Sequence, residues 1–357
     1  MRATEVLHER GQSLWLDNIT RGLLDDGTIQ RYIDDYSVTG LTSNPSIFDK
    51  AIASGYYDDA IRDKASSGLS AEELFFELAT EDLRRAADLF LPIHERTAGV
   101  DGWVSLEVSP LLAYDTAKTV SAASSLSQRA GRPNLFIKIP GTPQGLPAIT
   151  QSIAAGVPVN VTLLFSADQY LAAADAYLQG IERRVALGLD PAVASVGSVF
   201  MSRWDVAVAS TVPHDLVDKL ALAVGLDVYR AYRQLMESER VQSLENDGAR
   251  MQRLLWASTG TKDPKASDTL YVQGLAAPFT INTMPDATLK AFFEHGEVGD
   301  PLPADGGDAD EMLARFAKAG VDTKELAAKL QHDGAGAFVD AWKELVAHIE
   351  AQAAAVS

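Results

Sequence analysis

Short apolar runs alternate with longer amphipathic segments along most of this 357-residue chain. The short runs have the length and β-branched content of strands, and the longer segments carry apolar residues at helical spacing. Strands that alternate with helices form parallel sheets, because a parallel neighbour is reached only through a crossover connection. Eight such runs predict an α/β fold, a single (β/α)8 TIM barrel with additional N- and C-terminal helices. The predicted strands are residues 14–17, 39–44, 103–109, 135–140, 157–165, 194–201, 254–259 and 269–273.

Residues typical of helix starts lie between several of these strands. Ser70 with Glu73, and Ser166 with Gln169, have the spacing of a capping box, in which each side chain binds the other residue's backbone N–H. Residues 213–236 carry leucines and valines at helical spacing. They predict one long helix of the outer ring.

The chain continues well beyond the eighth predicted strand. Residues 285–293 predict a helix, and the Gly-, Pro- and Asp-rich residues 299–308 predict a loop. Farther on, a stripe of apolar residues predicts a terminal helix packed on the barrel: Phe338, Trp342, Leu345 and Ile349. We expect a single domain over residues 1–357, with a C-terminal helical extension from about residue 297. A barrel followed by an independent C-terminal domain is the alternative.

The composition argues against several classes of protein. A formal net charge of −18 disfavours binding to nucleic acid or to an anionic membrane, since both attract basic surfaces. The chain has no cysteine, which excludes a disulfide or a thiolate nucleophile. The first residues lack the apolar run of a signal peptide, and no stretch of about 18 apolar residues predicts a membrane span. We expect a cytoplasmic protein.

Lys138 lies in the middle of the apolar strand predicted over residues 135–140. Alternation along the strand places Lys138 on one face and Ile137 and Ile139 on the other. A charged ammonium is costly to bury, whereas a neutral amine is the nucleophile that forms Schiff bases with carbonyl substrates. This strand therefore indicates carbonyl chemistry.

Further polar residues lie at late positions of the predicted strands, on the faces that point into the barrel. Active sites of such barrels lie at the C-terminal strand ends, so these residues are candidates for a site. Taken alone, each candidate has a structural explanation. A single Asn or Thr in a strand is more often structural, and an Asp before a loop usually caps a helix. Lys138 and Glu107 can form a structural ion pair. Convergence from neighbouring strands favours catalysis. The candidates are Asp17, Thr42, Asn44, Glu107, Lys138, Asn160, Thr162, Ser198, Phe200 and Ser258.

Metal and nucleotide chemistry are not indicated. No two of the six histidines have the helical spacing of a zinc motif. Residues 140–145 contain glycine but match neither nucleotide-binding glycine motif. We expect no metal and no cofactor, since Schiff-base chemistry on a lysine needs neither.

Five motifs follow one another between about residues 17 and 285. They are Thr42-Ser43-Asn44-Pro45-Ser46, Ser105-Leu106-Glu107-Val108-Ser109, Phe136-Ile137-Lys138-Ile139-Pro140, Val159-Asn160-Val161-Thr162-Leu163-Leu164-Phe165-Ser166 and Trp256-Ala257-Ser258-Thr259-Gly260. In residues, order and spacing, the chain resembles the transaldolase family, and specifically its longer bacterial branch.

The resemblance implies a (β/α)8 enzyme of the pentose phosphate pathway. Its strand-four lysine, here Lys138, would form a Schiff base with C2 of sedoheptulose 7-phosphate or fructose 6-phosphate. It would then pass a dihydroxyacetone unit to glyceraldehyde 3-phosphate or erythrose 4-phosphate. Glu107 would be the acid and base of Schiff-base formation, through a water held with Thr162, and Asp17 would take the C4 hydroxyl proton. We expect sugar phosphates as partners, and a monomer or homodimer.

The same resemblance implies a set of substrate-binding residues. They are Asn44 and Asn160 for the donor hydroxyls, Ser198 and Phe200 on the pocket wall, and Arg203 and Ser258 for phosphate. Shorter family members have an arginine two residues after the serine that matches Ser258, whereas this chain has Gly260 there. Lys262 can replace that arginine as a point charge, but it lacks the guanidinium fork that grips phosphate with two hydrogen bonds.

Two other functions stay open. An enzyme resembling fructose 6-phosphate aldolase would release free dihydroxyacetone, but those chains are shorter and have a tyrosine where this one has Glu107. A non-catalytic barrel could bind sugar phosphates, with Lys138 and Glu107 merely paired. The presence of nucleophile, acid, base and hydroxyl-binding residues together argues against that second alternative, because binding alone does not need them.

Overall fold

Parallel strands close into a barrel in this protein. The computed structural model describes residues 1–65 and 68–356, and within them eight parallel strands pair in chain order, the last with the first. The predicted (β/α)8 fold is therefore confirmed. The strands are β1 (Ser13–Leu16), β2 (Val38–Leu41), β3 (Trp103–Glu107), β4 (Leu135–Pro140), β5 (Val159–Leu164), β6 (Ser195–Phe200), β7 (Gln252–Ala257) and β8 (Ile281–Met284).

Helices surround the barrel and extend it at both ends. They are α1 (Ala3–Glu9), α2 (Arg21–Asp25), α3 (Thr28–Tyr36), α4 (Pro45–Ile52), α5 (Asp58–Ala65), α6 (Ala71–Arg96), α7 (Thr116–Ala130), α8 (Gly145–Ala154), α9 (Ala167–Ala186), α10 (Ser202–Val208), α11 (Leu220–Met236), α12 (Glu239–Asn246), α13 (Leu270–Gly274), α14 (Asp286–His295), α15 (Ala309–Lys318) and α16 (Thr323–Val356). Short 3-10 turns lie at Pro110–Leu112 and His214–Leu216.

The predicted helix starts hold, with one difference in bonding. Ser70 and Glu73 form a complete capping box at the start of α6. At the start of α9, Ser166 Oγ accepts from the N–H of Gln169 at 3.2 Å, but Gln169 Oε1 accepts from the N–H of Phe165 at 2.8 Å. The glutamine side chain therefore bonds the N–H of Phe165 instead of the N–H of the N-cap residue Ser166.

The eighth strand was predicted wrongly. Residues 269–273 fall in α13, where Tyr271 donates a hydrogen bond to Asp205 at 2.7 Å. The true eighth strand, β8, pairs with β7 on one side and with β1 on the other. A short apolar run has no periodicity that separates a strand from a buried helical turn, so only barrel closure identifies the strand.

The long helix predicted over residues 213–236 begins later than expected. It is preceded by the 3-10 turn His214–Leu216, and α11 itself starts at Leu220. Asp218 between them has a φ of 57°, in the left-handed region, and this conformation interrupts a right-handed helix.

Aromatic side chains fill the N-terminal half of the barrel. Trp103 and Phe136 stack with ring centroids 4.0 Å apart, and Trp15 lies 6.3 Å from Phe136. Gly40 makes room for Trp15, because a Cβ at Gly40 would lie 2.7 Å from the indole ring. Asp101 accepts hydrogen bonds from Trp15 and from two hydroxyl groups beneath these rings. This packing fills the barrel interior beneath the C-terminal strand ends, where a pocket stays open.

The terminal helix α16 crosses that open end. Its predicted apolar stripe is buried, and Trp342 packs edge-on against Phe75 of α6 at 5.0 Å. Gln331 Nε2 donates to the carbonyl oxygens of Gly141 at 3.0 Å and Leu163 at 2.9 Å, at the ends of β4 and β5. The helix is thus bonded to the strand ends themselves. No helix in the described part of the chain has the length and apolar character needed to cross a membrane.

Candidate active site

A pocket of about 180 Å³ opens at the C-terminal ends of the strands. Most of the residues predicted from the sequence line it. The wall consists of Asp17, Thr42, Asn44, Ser46, Lys138, Thr162, Ser198, Phe200, Arg203, Ala257, Ser258, Thr283 and Phe338.

Lys138 on the pocket wall forms a buried pair with Glu107, which does not itself line the pocket as the structure describes it. They are direct neighbours across β3 and β4, and both side chains are about 5–6% exposed. Lys138 Nζ donates to Glu107 Oε2 at 3.2 Å and to the carbonyl oxygen of Ser43 at 3.0 Å. An amine held between a carboxylate and a carbonyl has a fixed position and a proton acceptor beside it.

Glu107 combines a shifted pKa with a free oxygen. Burial raises the pKa of Glu107; the nearby charge of Lys138 opposes this shift, and the charge of Asp17 adds to it. Its Oε1 is buried without a hydrogen-bond partner among the described residues, and so is Thr162 Oγ1. Thr162 pairs with the end of Lys138's own strand at Pro140. Glu107 is therefore suited to exchange protons, and Thr162 offers a second buried polar atom without a partner among the described residues.

Asp17 follows the end of β1, on the opposite wall. It is partly exposed, and its Oδ1 accepts from Thr42 Oγ1 at 2.8 Å, while Thr42 bonds in turn to Thr283 at 2.7 Å. Burial raises the pKa of Asp17, and the charges of Lys138 and Lys262 and the Thr42 hydrogen bond oppose the rise. A carboxyl group with a raised pKa that is oriented by a hydroxyl can act as a general base.

The two predicted asparagines occupy different positions. Asn44 is the N-cap of α4, because its Oδ1 accepts from the N–H of Ile47 at 3.1 Å, and it also lines the pocket. Asn160 is fully buried, donates to Ser105 Oγ at 3.1 Å and accepts from Ser198 Oγ at 2.7 Å. The pocket wall described above includes Ser198 but not Asn160, so Asn160 lies one layer behind the surface and orients Ser198.

Arg203 is the cation of the pocket wall that has no counter-ion. Within residues 1–65 and 68–356 it has no hydrogen-bond or ion-pair partner; its guanidinium lies 5.3 Å from the ring of Phe200 and 6.0 Å from that of Phe338. Burial lowers the pKa of Arg203, yet arginine stays charged at neutral pH. A partly buried, unpaired guanidinium at a pocket is suited to bind an anion.

The other two predicted phosphate ligands lie less centrally. Ser258 lines the pocket, has a φ of 54° and shares a hydrogen bond with Ser202 Oγ at 2.8 Å. Its left-handed backbone interrupts the strand alternation, which is why both Ala257 and Ser258 reach the wall. Lys262 is exposed and does not line the pocket as the structure describes it, although its charge acts on Asp17.

Phe338 lines the pocket, although the sequence did not predict that it would. It belongs to α16, is 6% exposed, and its ring centroid lies 5.8 Å from Lys138 Nζ. Its helical spacing predicted only that it packs on the barrel. Ser46 and Thr283 also line the pocket without having been predicted to bind substrate. Thr283 was not a candidate, because the eighth strand was predicted in a different segment.

A larger cavity, of about 580 Å³, lies at the other end of the barrel. Its arginines, Arg250 and Arg253, donate to main-chain carbonyl oxygens, including those of Ala98 and Val100. Those arginines therefore serve the packing of loops. Among the residues that the structure describes, no three His, Cys, Asp or Glu residues are grouped as a metal site.

Comparison with known proteins agrees with this geometry. Residues 14–349 match the Transaldolase/Fructose-6-phosphate aldolase family. The chain is 43% identical over 356 residues to the transaldolase of Saccharopolyspora erythraea, covering 98% of this chain and 97% of that one. It is 44% identical over 361 residues to the transaldolase of Thermobifida fusca, covering 98% of each. Transaldolase 2 of Streptomyces coelicolor is 41% identical over 360 residues. This chain belongs to the transaldolase/fructose-6-phosphate aldolase family.

Proposed function

We propose that the protein is a transaldolase in which Lys138 carries a dihydroxyacetone unit between two sugar phosphates. The observation that supports this most directly is the buried Lys138 amine, which lies 3.2 Å from a carboxylate in a pocket that also holds Asp17 and Arg203. Full-length relatives that are named transaldolases, at about 43% identity, support the same reaction.

The first stage is Schiff-base formation. The neutral amine of Lys138 attacks C2 of the ketose phosphate, and Glu107, whose pKa burial raises, is close enough to take the proton that the amine loses. Glu107 passes that proton to the C2 oxygen, which becomes a hydroxyl group; a second proton, taken up from solvent through Glu107, lets it leave as water, and an iminium remains. We propose that a water held by Glu107 Oε1 and Thr162 Oγ1 relays these protons, because both atoms are buried and lack protein partners in the described residues.

The second stage breaks and remakes a carbon–carbon bond. Asp17 takes the proton of the C4 hydroxyl, the C3–C4 bond breaks, and its electron pair moves into the iminium to form an enamine on Lys138. The shortened aldose phosphate leaves. When the acceptor aldehyde binds, C3 of the enamine attacks it, and Asp17 returns its proton to the new hydroxyl. Hydrolysis of the Schiff base then releases the product ketose phosphate and regenerates the amine.

The substrate groups have matching partners on the pocket wall. Arg203 binds the phosphate, since its guanidinium lies on the wall without an ion-pair partner among the described residues, and Ser258 adds a hydroxyl donor. The amide nitrogen of Asn44 faces substrate hydroxyls while its oxygen caps α4. Ser198, oriented by Asn160, contributes a further hydroxyl. Lys262 acts at most as an outer charge, because it is exposed.

An assay with and without acceptor tests the proposed function. With fructose 6-phosphate and erythrose 4-phosphate together, we expect sustained formation of sedoheptulose 7-phosphate and glyceraldehyde 3-phosphate. With fructose 6-phosphate alone, glyceraldehyde 3-phosphate forms about once per site and then only slowly, because Lys138 stays occupied. Equally fast, sustained release of dihydroxyacetone without acceptor would instead identify a fructose 6-phosphate aldolase.

Replacement of Arg203 with methionine tests the phosphate site. We expect kcat/KM for phosphorylated donors to fall about 100-fold, mainly through KM, because the variant lacks the charge that pairs with the phosphate. Turnover of unphosphorylated fructose changes little. The control Lys262→Met removes an exposed charge and costs less than about tenfold. A larger effect of Lys262→Met than of Arg203→Met would reverse the assignment of the two cations.

We also propose that the whole chain, 1–357, forms one domain. Side chains of the C-terminal extension, including Phe316, Leu345 and Ile349, belong to the same hydrophobic core as the strand residues. The hydrogen bonds of Gln331 to β4 and β5 support the same view. A cytoplasmic location and a monomeric or dimeric state stay predictions from the sequence.

A further inference from the structure

The terminal helix α16 contributes a side chain to the reacting end of the pocket. Phe338 is buried, its ring centroid lies 5.8 Å from Lys138 Nζ, and it lies 6.4 Å from the ring of Phe200 on the wall. The Schiff-base nitrogen therefore forms beneath an aromatic ring that comes from outside the barrel.

The helix holds this ring from both sides. Two turns before Phe338, Gln331 binds the carbonyl oxygens of Gly141 and Leu163. One turn after it, Trp342 packs against Phe75 and Phe76 at 5.0 and 5.5 Å. Leu163 has a φ of 59°, an uncommon conformation for a leucine, and its carbonyl is one of the two that Gln331 binds. Phe338 is thus a fixed part of the wall.

The close approach of α16 depends on Gly334, one turn before Phe338. A Cβ at this position would lie 2.9 Å from Arg203 Nη1 and 3.0 Å from Leu163 Cδ2. The glycine lets the helix lie directly over the guanidinium and the end of β5. The helix is therefore fitted to this pocket, and Phe338 enters it as a consequence of that fit.

We infer that Phe338 is a specificity-determining residue that keeps bulk water from the enamine on Lys138, so that the dihydroxyacetone unit is transferred instead of released. This inference rests on the proposed function. In the competing reaction C3 of the enamine takes a proton from water, water then adds to C2 of the resulting iminium, and the C2–N bond breaks. The nitrogen keeps the bonding electrons and takes a proton, which gives free dihydroxyacetone and the Lys138 amine. Water addition at C2 ends both reactions and does not separate them, whereas an aromatic ring beside the enamine slows the protonation of C3, which only release requires.

The test compares two rates for Phe338→Ala, Phe338→Leu and the wild type at saturating substrate. Fructose 6-phosphate alone gives a burst of one glyceraldehyde 3-phosphate per site and then a slope that measures hydrolysis. Added erythrose 4-phosphate gives the transfer rate. We expect Phe338→Ala to keep the burst and to raise the ratio of hydrolysis to transfer about tenfold or more, with Phe338→Leu between it and the wild type.

The control is Leu345→Ala, which removes a fully buried residue of the same stripe away from the pocket. It is expected to lower the melting temperature without moving the ratio. A role of Phe338 limited to supporting Arg203 would raise KM in both reactions and leave the ratio unchanged, which would overturn the inference. If Phe338→Ala shows no burst, the ratio of hydrolysis to transfer in Phe338→Leu tests the inference instead. Absence of a burst in the wild type would instead overturn the proposed function, and the inference with it.

Discussion

Replacing Lys138 with methionine is expected to reduce dihydroxyacetone transfer about 10⁵-fold, the scale of loss when an enzyme's covalent nucleophile is removed. Methionine has a similar length and no amine, so it fills the site without forming a Schiff base. The remaining partner, Glu107, can become protonated, because burial already raises its pKa. The fold should therefore survive the substitution.

The decisive measurement is borohydride reduction with fructose 6-phosphate present, followed by peptide mass mapping. The wild type should carry a dihydroxyacetone-derived adduct on the peptide that contains Lys138, and Lys138→Met should carry none. The matched control is Lys262→Met, which removes an exposed lysine and should leave the adduct in place. An adduct on another lysine, or substantial turnover by Lys138→Met, would contradict the assigned nucleophile.

Replacing Asp17 with asparagine is expected to slow transfer about 10³-fold, within the range for loss of a general base. The amide keeps the shape of the side chain and can still bond to Thr42, but it cannot take the C4 hydroxyl proton. Cleavage of the C3–C4 bond therefore stops while Schiff-base formation continues. This loss is confined to one stage of the reaction.

Two trapping experiments separate Asp17 from Glu107. Dihydroxyacetone itself forms a Schiff base without any carbon–carbon cleavage, so Asp17→Asn should be trapped by borohydride with it at close to the wild-type rate. Glu107→Gln should be trapped slowly, because the proton exchange at nitrogen and at the C2 oxygen lacks its acid and base. If both variants lose trapping equally, the division of roles between the two carboxyl groups is wrong.

The pH dependence of kcat/KM follows from the direction of the shifts. Asp17 must be ionised to accept a proton, and burial raises its pKa, so activity should fall as the pH drops through a value above the ordinary aspartate range. The pKa of Glu107 is raised as well, and its charge interacts with that of Asp17. The loss of activity at low pH therefore reports the titration of both groups together. The pH profile of the residual activity of Asp17→Asn should show one titrating group at low pH instead of two. An acid limb at an ordinary aspartate pKa would contradict the environment assigned to Asp17.

Most residues of the pocket wall were predictable because their signals are local. A lysine between isoleucines and a glutamate between Leu106 and Val108 are unusual wherever they occur, since a charge in an apolar strand needs a partner or a task. Strand periodicity then places each residue on the inner face. The contact of Arg203 with Phe338 has no such signal, because Phe338 lies far away in the chain.

Local signals also explain the wrong eighth strand and the ambiguity at Asn44. Residues 269–273 contain the apolar, β-branched run of a strand but form α13, while the more polar β8 completes the sheet. Asn44 was expected to bind substrate, and its oxygen proved to cap α4 as well. A helix cap and a ligand-binding amide use the same residue type in the same place, so the sequence alone does not separate them.

By itself, the sequence determined the parallel barrel and the inner-face positions of Lys138 and Glu107 on it, because residue type and periodicity act over a few neighbouring positions. Only the tertiary structure decided which segment closes the barrel and what covers the pocket. Closure requires hydrogen bonds to both β7 and β1, and the cover depends on how α16 packs across the strand ends. Both are contacts between distant parts of the chain, and the periodicity of a single segment carries no information about them.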